Sequence, residues 1–299
     1  MLRSRFIAFI LATFFVLVLC APNQAVRGQT VSGQAAGNRV AADRIHYGDN
    51  PAAGHYLNTR GIKLYYEVYG QGEPLLFFHG NGSSIGLFGN QIPYFSQYYK
   101  VIAIDSRTHG KSKDPGDSLT FEMIVDDFNA LLDSMHLDSC YVIGWSDGGI
   151  DALMLAIRHP DKVKKMAFTG ANLWPDTTGL TPFVYNLIKT GNADLRAKPQ
   201  TPEVKNQLKI SDLDLFQPHI TLEQLQGIQC PTLVIGGDHD VIPVRHTVLI
   251  AENIPRSYLW IVPNSGHSVP VFKKDQFNTL VHEFFRSPYR KIEGSATFQ

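Results

Sequence analysis

Short apolar runs alternate with longer amphipathic stretches along most of the chain. Strands are expected at Leu75–His79, Val101–Asp105, Cys140–Gly144, Lys165–Gly170, Thr232–Gly236 and Tyr258–Val262, the middle ones nearly all apolar, as in strands covered on both faces. Ile62–Tyr69 differs: Leu64, Tyr66 and Val68 alternate with Lys63, Tyr65 and Glu67, which suits an antiparallel edge strand or hairpin. Thr120 to Met135 reads as a helix. Ile124, Phe128, Leu131, Leu132 and Met135 fall on one stripe, Thr120 can cap, and Glu122 suits the first turn. A second helix-type run, Ile150 to Ile157, follows the strand at 140–144. This alternation predicts an α/β fold with a mostly parallel sheet and right-handed crossovers.

The rhythm breaks between Asn172 and Gly227. That stretch has no strand signal and carries Trp174-Pro175, Thr181-Pro182, Pro199, Thr201-Pro202 and Pro218. Short helices fit at 182–190, 202–210 and 221–226, the last with Thr221 and Gln224 as a capping box. An irregular helical insertion of this length is too long for a plain connection and reads as a lid over a binding site.

Arg3 and Arg5 precede an apolar stretch from Phe6 to Ala21, the layout of a signal peptide with an apolar region too short for a membrane span. Leu17-Val18-Leu19-Cys20 loosely resembles a lipobox, with Leu19 where a small residue is expected. Export by cleavage is therefore the leading expectation, lipoprotein anchoring at Cys20 the second and a retained anchor the third. The expected organisation is a signal peptide at 1–25, a flexible leader at 26–54, the folded domain at 55–288 with the lid at 172–227, and a tail at 289–299. With 44% hydrophobic and 18% charged residues and a formal net charge of zero, the chain reads as an ordinary globular one, and neither nucleic acid nor an anionic membrane surface is an expected partner. Cys140 and Cys230 open strands separated by a third, about 9.6 Å apart, beyond disulfide reach. Both are expected to be buried free thiols.

The chemistry starts at Gly144-Trp145-Ser146-Asp147-Gly148, between the strand at 140–144 and the helix that follows. A serine between two glycines at a strand-to-helix turn is the layout of a nucleophile elbow. Upstream, His79-Gly80-Asn81-Gly82 follows a strand, so the backbone amide of Asn81 can join that of Asp147 as an oxyanion hole. Downstream, the strand after the lid runs into Gly237-Asp238-His239-Asp240. Both aspartates qualify as the acid; Asp240 is preferred, with Asp238 as a turn residue. His267, after the last strand, would act as base toward Ser146. The order Ser146, Asp240, His267 is the one expected for this layout. No metal or cofactor is called for, since the histidines lack a helical His-x-x-x-His spacing.

On these motifs, and on Asp105-Ser106-Arg107-Thr108-His109-Gly110-Lys111-Ser112, the chain resembles the α/β-hydrolase-fold enzymes from about residue 55 to 288. The last motif is similar to the family's Asp-x-Arg-Gly-His-Gly-x-Ser loop, with Thr108 in place of glycine and His109 at most lining the site. The elbow and the run Ala152 to Pro160 look most like valacyclovir-hydrolase-type (biphenyl-hydrolase-like) esterases. The resemblance implies a mostly parallel eight-stranded sheet flanked by helices with a small helical lid. It also implies a serine hydrolase acting on small-molecule carboxylic esters. An aminopeptidase or amidase, a carbon–carbon bond hydrolase or an acyltransferase would use the same triad, and a non-catalytic binding protein would need none of it. Asp147 would hold a substrate amine if its side chain faces the pocket, or cap its helix if it points away. Trp174, in the lid, is a further candidate for contacting substrate. The oligomeric state is left open.

Overall fold

The apolar runs become strands of one sheet. In the computed structural model, which describes residues 45–293 and Thr297, the strands are β1 (Gly54–Thr59), β2 (Ile62–Tyr69), β3 (Pro74–Phe78), β4 (Lys100–Ile104), β5 (Cys140–Trp145), β6 (Val163–Thr169), β7 (Thr232–Gly237) and β8 (Ser257–Val262). Their order is β1-β2-β4-β3-β5-β6-β7-β8, with β2 antiparallel to both neighbours and the rest parallel. The helices are α1 (Ile92–Phe95), α2 (Phe121–Ser134), α3 (Asp147–Arg158), α4 (Pro182–Ala197), α5 (Pro202–Phe216), α6 (Leu222–Gln226), α7 (Val244–Asn253), α8 (Val269–Phe272) and α9 (Lys274–Arg286). This is the α/β-hydrolase fold. The apolar start of the chain and Cys20 lie outside the described residues, among which no helix is long and apolar enough to cross a membrane.

The period-two rule divides the core. Leu76, Phe78, Ile102, Ile104 and Val142 point to the face covered by α2 and α3. Leu75, Phe77, Val101, Ala103 and Ile143 point to the face covered by α1 and α9. Parallel strands buried on both sides therefore carry no polar alternation.

β1 was not among the expected strands, because its exposed and half-buried positions give no apolar alternation. It pairs with β2 across Arg60-Gly61, both at positive φ, the backbone of a tight hairpin turn. The folded domain also begins earlier than residue 55. Buried Glu67 accepts the backbone N–H groups of Gly48 (2.8 Å) and Asn50 (2.9 Å) and the hydroxyls of Tyr65 and Tyr69 (2.7 Å each). Four donors on one buried carboxylate tie residues 48–50 to the sheet.

The helices of the expected lid, α4 and α5, run longer than the sequence predicts. Gly191 reads as a stop, yet α4 continues through it because Asn192 donates to Ser211 Oγ (3.1 Å) and Asp212 Oδ1 (2.7 Å) of α5. Cys140 and Cys230 are free and buried, with β6 between their strands in the sheet.

Candidate active site

The elbow is fixed by space that only glycine leaves. A Cβ on Gly148 would lie 1.8 Å from the Phe78 carbonyl oxygen, and one on Gly144 would lie 2.1 Å from the Gly148 carbonyl oxygen. Both are impossible contacts, so strand and helix approach as closely as they do only through these two residues. The turn places Ser146 at φ 59° and ψ −122°, a sparsely populated conformation that surrounding structure must impose. It does so through the Ser146 N–H, which donates to Thr169 O at 2.8 Å. As the first residue of α3, Asp147 carries a backbone N–H that no intrahelical partner can take.

Two histidines serve different ends. His79, at the end of β3, accepts the Ser106 N–H on Nε2 (3.0 Å) and bonds Gly80 O through Nδ1 (2.8 Å). Burial lowers its pKa to about 4, so it stays neutral and can both accept and donate. It thereby fixes the loop that carries Asn81. His267 is bonded through Nδ1 to Asp240 Oδ1 at 2.7 Å. Its carbonyl accepts the indole N–H of Trp145 (3.0 Å), the residue before Ser146. Its ring lies against Gly170, where a Cβ would come within 2.5 Å of Cε1. Gly170 directly follows Thr169, the residue bonded to Ser146 N–H, so the imidazole sits at the strand end next to the elbow.

Of the two candidate acids, Asp240 is the one on the imidazole. Burial pushes its carboxyl up, but the bond from His267 and the N–H groups of Ile242 (3.2 Å) and Gly237 (3.4 Å) hold it below the usual range. Asp238 instead accepts the N–H groups of Asn264 and Ser265 (2.9 Å each) and builds the turn. Its carboxyl, on the surface, is pulled down by those bonds and by His239.

Asp147 neither caps its helix nor stands free. Its Oδ2 accepts Asn81 Nδ2 (2.9 Å), which also donates to Ile210 O in the lid (3.1 Å). Its carboxyl is in hydrogen-bond contact with Asp214 of α5, and burial raises the pKa of both. Trp174 donates its indole N–H to Ile220 O (3.0 Å) and packs edge-on against His246, which ties the lid's first residues to its last. His109 is buried, bonds Arg107 O through Nδ1, and leaves Nε2 without a partner. Burial, with His79 beside it, lowers its pKa to about 3.

Sequence reasoning missed Trp145, Gly170, Asp151 and Asp214. Asp151 had a visible signal: it lies four residues after Asp147, on the same helix face. Asp214 had none. Among the described residues, no group of three or more His, Cys, Asp or Glu could hold a metal ion.

Residues 73–185 match the alpha/beta hydrolase fold family. The chain is 27% identical to serine hydrolase BPHL of Mus musculus over 250 residues, 76% of this chain and 84% of that protein. It is 28% identical to the pimeloyl-[acyl-carrier protein] methyl ester esterase of Legionella pneumophila, over 75% of this chain and all of that protein. A solved structure described as Est816, an N-acyl homoserine lactone degrading enzyme, superposes with a TM-score of 0.63 at 28% identity, over 77% of this chain and all of that one. The chain has the α/β-hydrolase fold, and the proteins it is similar to are hydrolases of that fold. Within that class it is similar to serine hydrolase BPHL.

Proposed function

We propose that the protein is a serine hydrolase that cleaves carboxylic esters of small molecules through an acyl-enzyme, with Ser146 as nucleophile, His267 as base and Asp240 as the group that orients it. The observation that carries this reading is the 2.7 Å bond from His267 Nδ1 to buried Asp240, beside an elbow serine held at positive φ. With Nδ1 committed to the carboxylate, Nε2 is left to take the Ser146 Oγ proton. Oγ then bonds to the ester carbonyl carbon, and its oxygen becomes an anion facing the N–H groups of Asn81 and Asp147. His267 returns the proton to the leaving alkoxide, and water repeats the sequence on the acyl-serine. A lactone is a cyclic ester and is opened by the same steps.

Asp147 belongs to the frame of the site in this reading, because its carboxyl is engaged by protein groups from both the oxyanion loop and the lid. Asp147→Asn should then lose activity equally on amino-acid esters and plain acyl esters; a loss confined to amino-acid esters would return it to substrate recognition. A fluorophosphonate probe should label the wild type and not Ser146→Ala. Absence of labelling in the folded wild type would overturn the assignment. We place the protein outside the cytoplasm on its basic and apolar start, which cell fractionation tests.

A further inference from the structure

An ionised carboxylate one residue past the nucleophile opposes the proposed reaction, since the oxygen that develops negative charge forms beside it. The neighbourhood of Asp147 shows how that opposition is reduced. Three carboxyl groups meet there: Asp147 and Asp151, one turn apart on α3, and Asp214 from the lid helix α5. Asp147 is 8% exposed and Asp151 1%. Asn81 Nδ2 donates both to Asp147 Oδ2 (2.9 Å) and to the Ile210 carbonyl of α5 (3.1 Å), and half-buried Asp214, one turn beyond Ile210, meets the Asp147 carboxyl in hydrogen-bond contact. Two ionised carboxylates only accept hydrogen bonds, so that contact requires a proton on one of them. Asp151 Oδ1 is buried without a partner, a placement that suits a neutral acid and would be costly for an anion.

We infer that Asp214 is a positioning residue of the hydrolytic site: a lid-borne carboxylic acid that donates its proton to Asp147, holds that carboxylate toward Asn81, and keeps the second negative charge away from the oxyanion. The inference rests on the reading of Ser146 as nucleophile. The groups facing the pair are Asp151 from the elbow helix and His267 from the loop after β8, with uncharged Asn81 from the loop after β3. Lys209, earlier in α5, is directed elsewhere, to Asp114 and the Gly116 carbonyl. Burial first, and the negative charge of Asp147 second, raise the Asp214 carboxyl well above its ordinary range. Rising pH removes the shared proton, places two charges beside the oxyanion and pushes lid from elbow. Activity therefore falls on the alkaline side. Loss of a proton from a histidine base does the reverse, since it raises activity with pH.

The test is kcat against pH on a plain acyl ester for the wild type, Asp214→Asn, Asp214→Ala and Asp151→Asn, each also labelled at Ser146 with the fluorophosphonate. The wild type should lose kcat on the alkaline side. Asp214→Ala should be about tenfold slower at neutral pH and lack that pH-dependent loss. Asp214→Asn keeps an N–H donor that cannot titrate; it should recover most of the rate and hold it through alkaline pH. Should Asp214→Ala fail to fold, the Asn variant alone carries the comparison. The inference is overturned if the wild type has no alkaline loss, or if Asp214→Asn keeps it. It is also overturned if the loss disappears in Asp151→Asn instead, which would assign the alkaline loss to the proton that Asp151 carries and not to that of Asp214. Failure of the folded wild type to label at Ser146 would instead bring down the nucleophile assignment itself, and this inference with it.

Discussion

The strand ends and the lid segment at 172–227 are held in place by different means. At the strand ends, position follows from exclusion: Gly144, Gly148 and Gly170 leave no room for a Cβ, and Ser146 and His267 can sit only where they do. The lid is held by polar contacts along one stripe of α5. Asn206 donates to Thr108 O (3.2 Å), Lys209 to Gly116 O (2.7 Å), and the Ile210 carbonyl accepts Asn81. Leu213 is buried on the same stripe, and Gln217 follows it with a bond to Leu119 O (3.2 Å). A contact that excludes atoms cannot be rearranged without strain, whereas a hydrogen bond can be exchanged for water. Chemistry should therefore be destroyed by changes at the strand ends and only graded by changes in the lid.

The largest effect should come from the imidazole. His267→Ala should lower kcat by about 10⁴-fold or more, roughly 5.5 kcal/mol of barrier, in steady-state assays on a plain ester. A variant within tenfold of the wild type would remove the strand ends from the chemistry. Next comes a pair of glycines. Gly148→Ala forces a Cβ onto the Phe78 carbonyl and should cost about 3 kcal/mol or more in urea unfolding. Gly191→Ala, in lid helix α4 with nothing within 4 Å of its Cβ, should gain about 0.5–1 kcal/mol. Similar responses at the two sites would break the contrast.

Lys209→Met probes the lid directly. It removes the ammonium from Asp114, whose buried carboxylate keeps Arg107 at 3.4 Å, and from the carbonyls of Asp114 and Gly116. The expected cost is about 2 kcal/mol. Hydrogen exchange should speed up in residues 202–216 and stay unchanged in β5 and β6. Equal acceleration in the central strands would mean that lid and sheet open as one unit.

The same division governs what could be read from the sequence. β3 to β7 were legible because burial on two faces writes an apolar run, β2 because its positions alternate, and β8 because Tyr258 to Val262 is apolar in sequence though mostly half-buried; the order of Ser146, Asp240 and His267 follows from strand succession. β1 was not, being an exposed edge, and neither were α7 and α9. Their N-cap residues, Pro243 and Lys273, offer no capping side chain, so no start signal marks them. In the lid, Ser211 and Asp212 look like a helix end, yet they are the polar face that packs against Asn192. Asp214 gave no sign of meeting Asp147. That meeting depends on how α5 crosses the elbow, a tertiary fact that no local spacing encodes.

A smaller effect, set by pH, should come from Asp151. Burial, then the charge of Asp147, raises its carboxyl well above the ordinary range, so the folded protein holds a proton that the unfolded chain releases near pH 3.9. Its contribution is fully present below that pH and is lost as pH rises through the folded-state pKa. Asp151→Asn cannot titrate. It should match the wild type near pH 3.5 and exceed it by about 1 kcal/mol at pH 8, read as the difference in urea midpoints at the two values. A constant difference at both would mean that Asp151 acts through packing alone.

The smallest effect is expected at Thr108, where the chain departs from the glycine of the loop motif it resembles. Thr108 nonetheless keeps φ at 77°, a conformation uncommon for any residue with a Cβ and an outlier for a β-branched one. The loop imposes it, since Thr108 N–H donates to Ser112 O (2.9 Å) and its carbonyl accepts Asn206 from the lid. Thr108→Gly would relieve strain of about 1–3 kcal/mol and restore about 0.5–1 kcal/mol of unfolded-chain entropy. It would also give up a long 3.4 Å bond to Asp114. The balance favours the variant by about 0.5–1 kcal/mol, a rise of a few degrees in Tm. The Asn206 contact uses only the Thr108 carbonyl, so lid exchange rates should not change. A Tm gain accompanied by faster exchange in 202–216 would show that the strained loop, and not the polar stripe of α5, sets how firmly the lid is held.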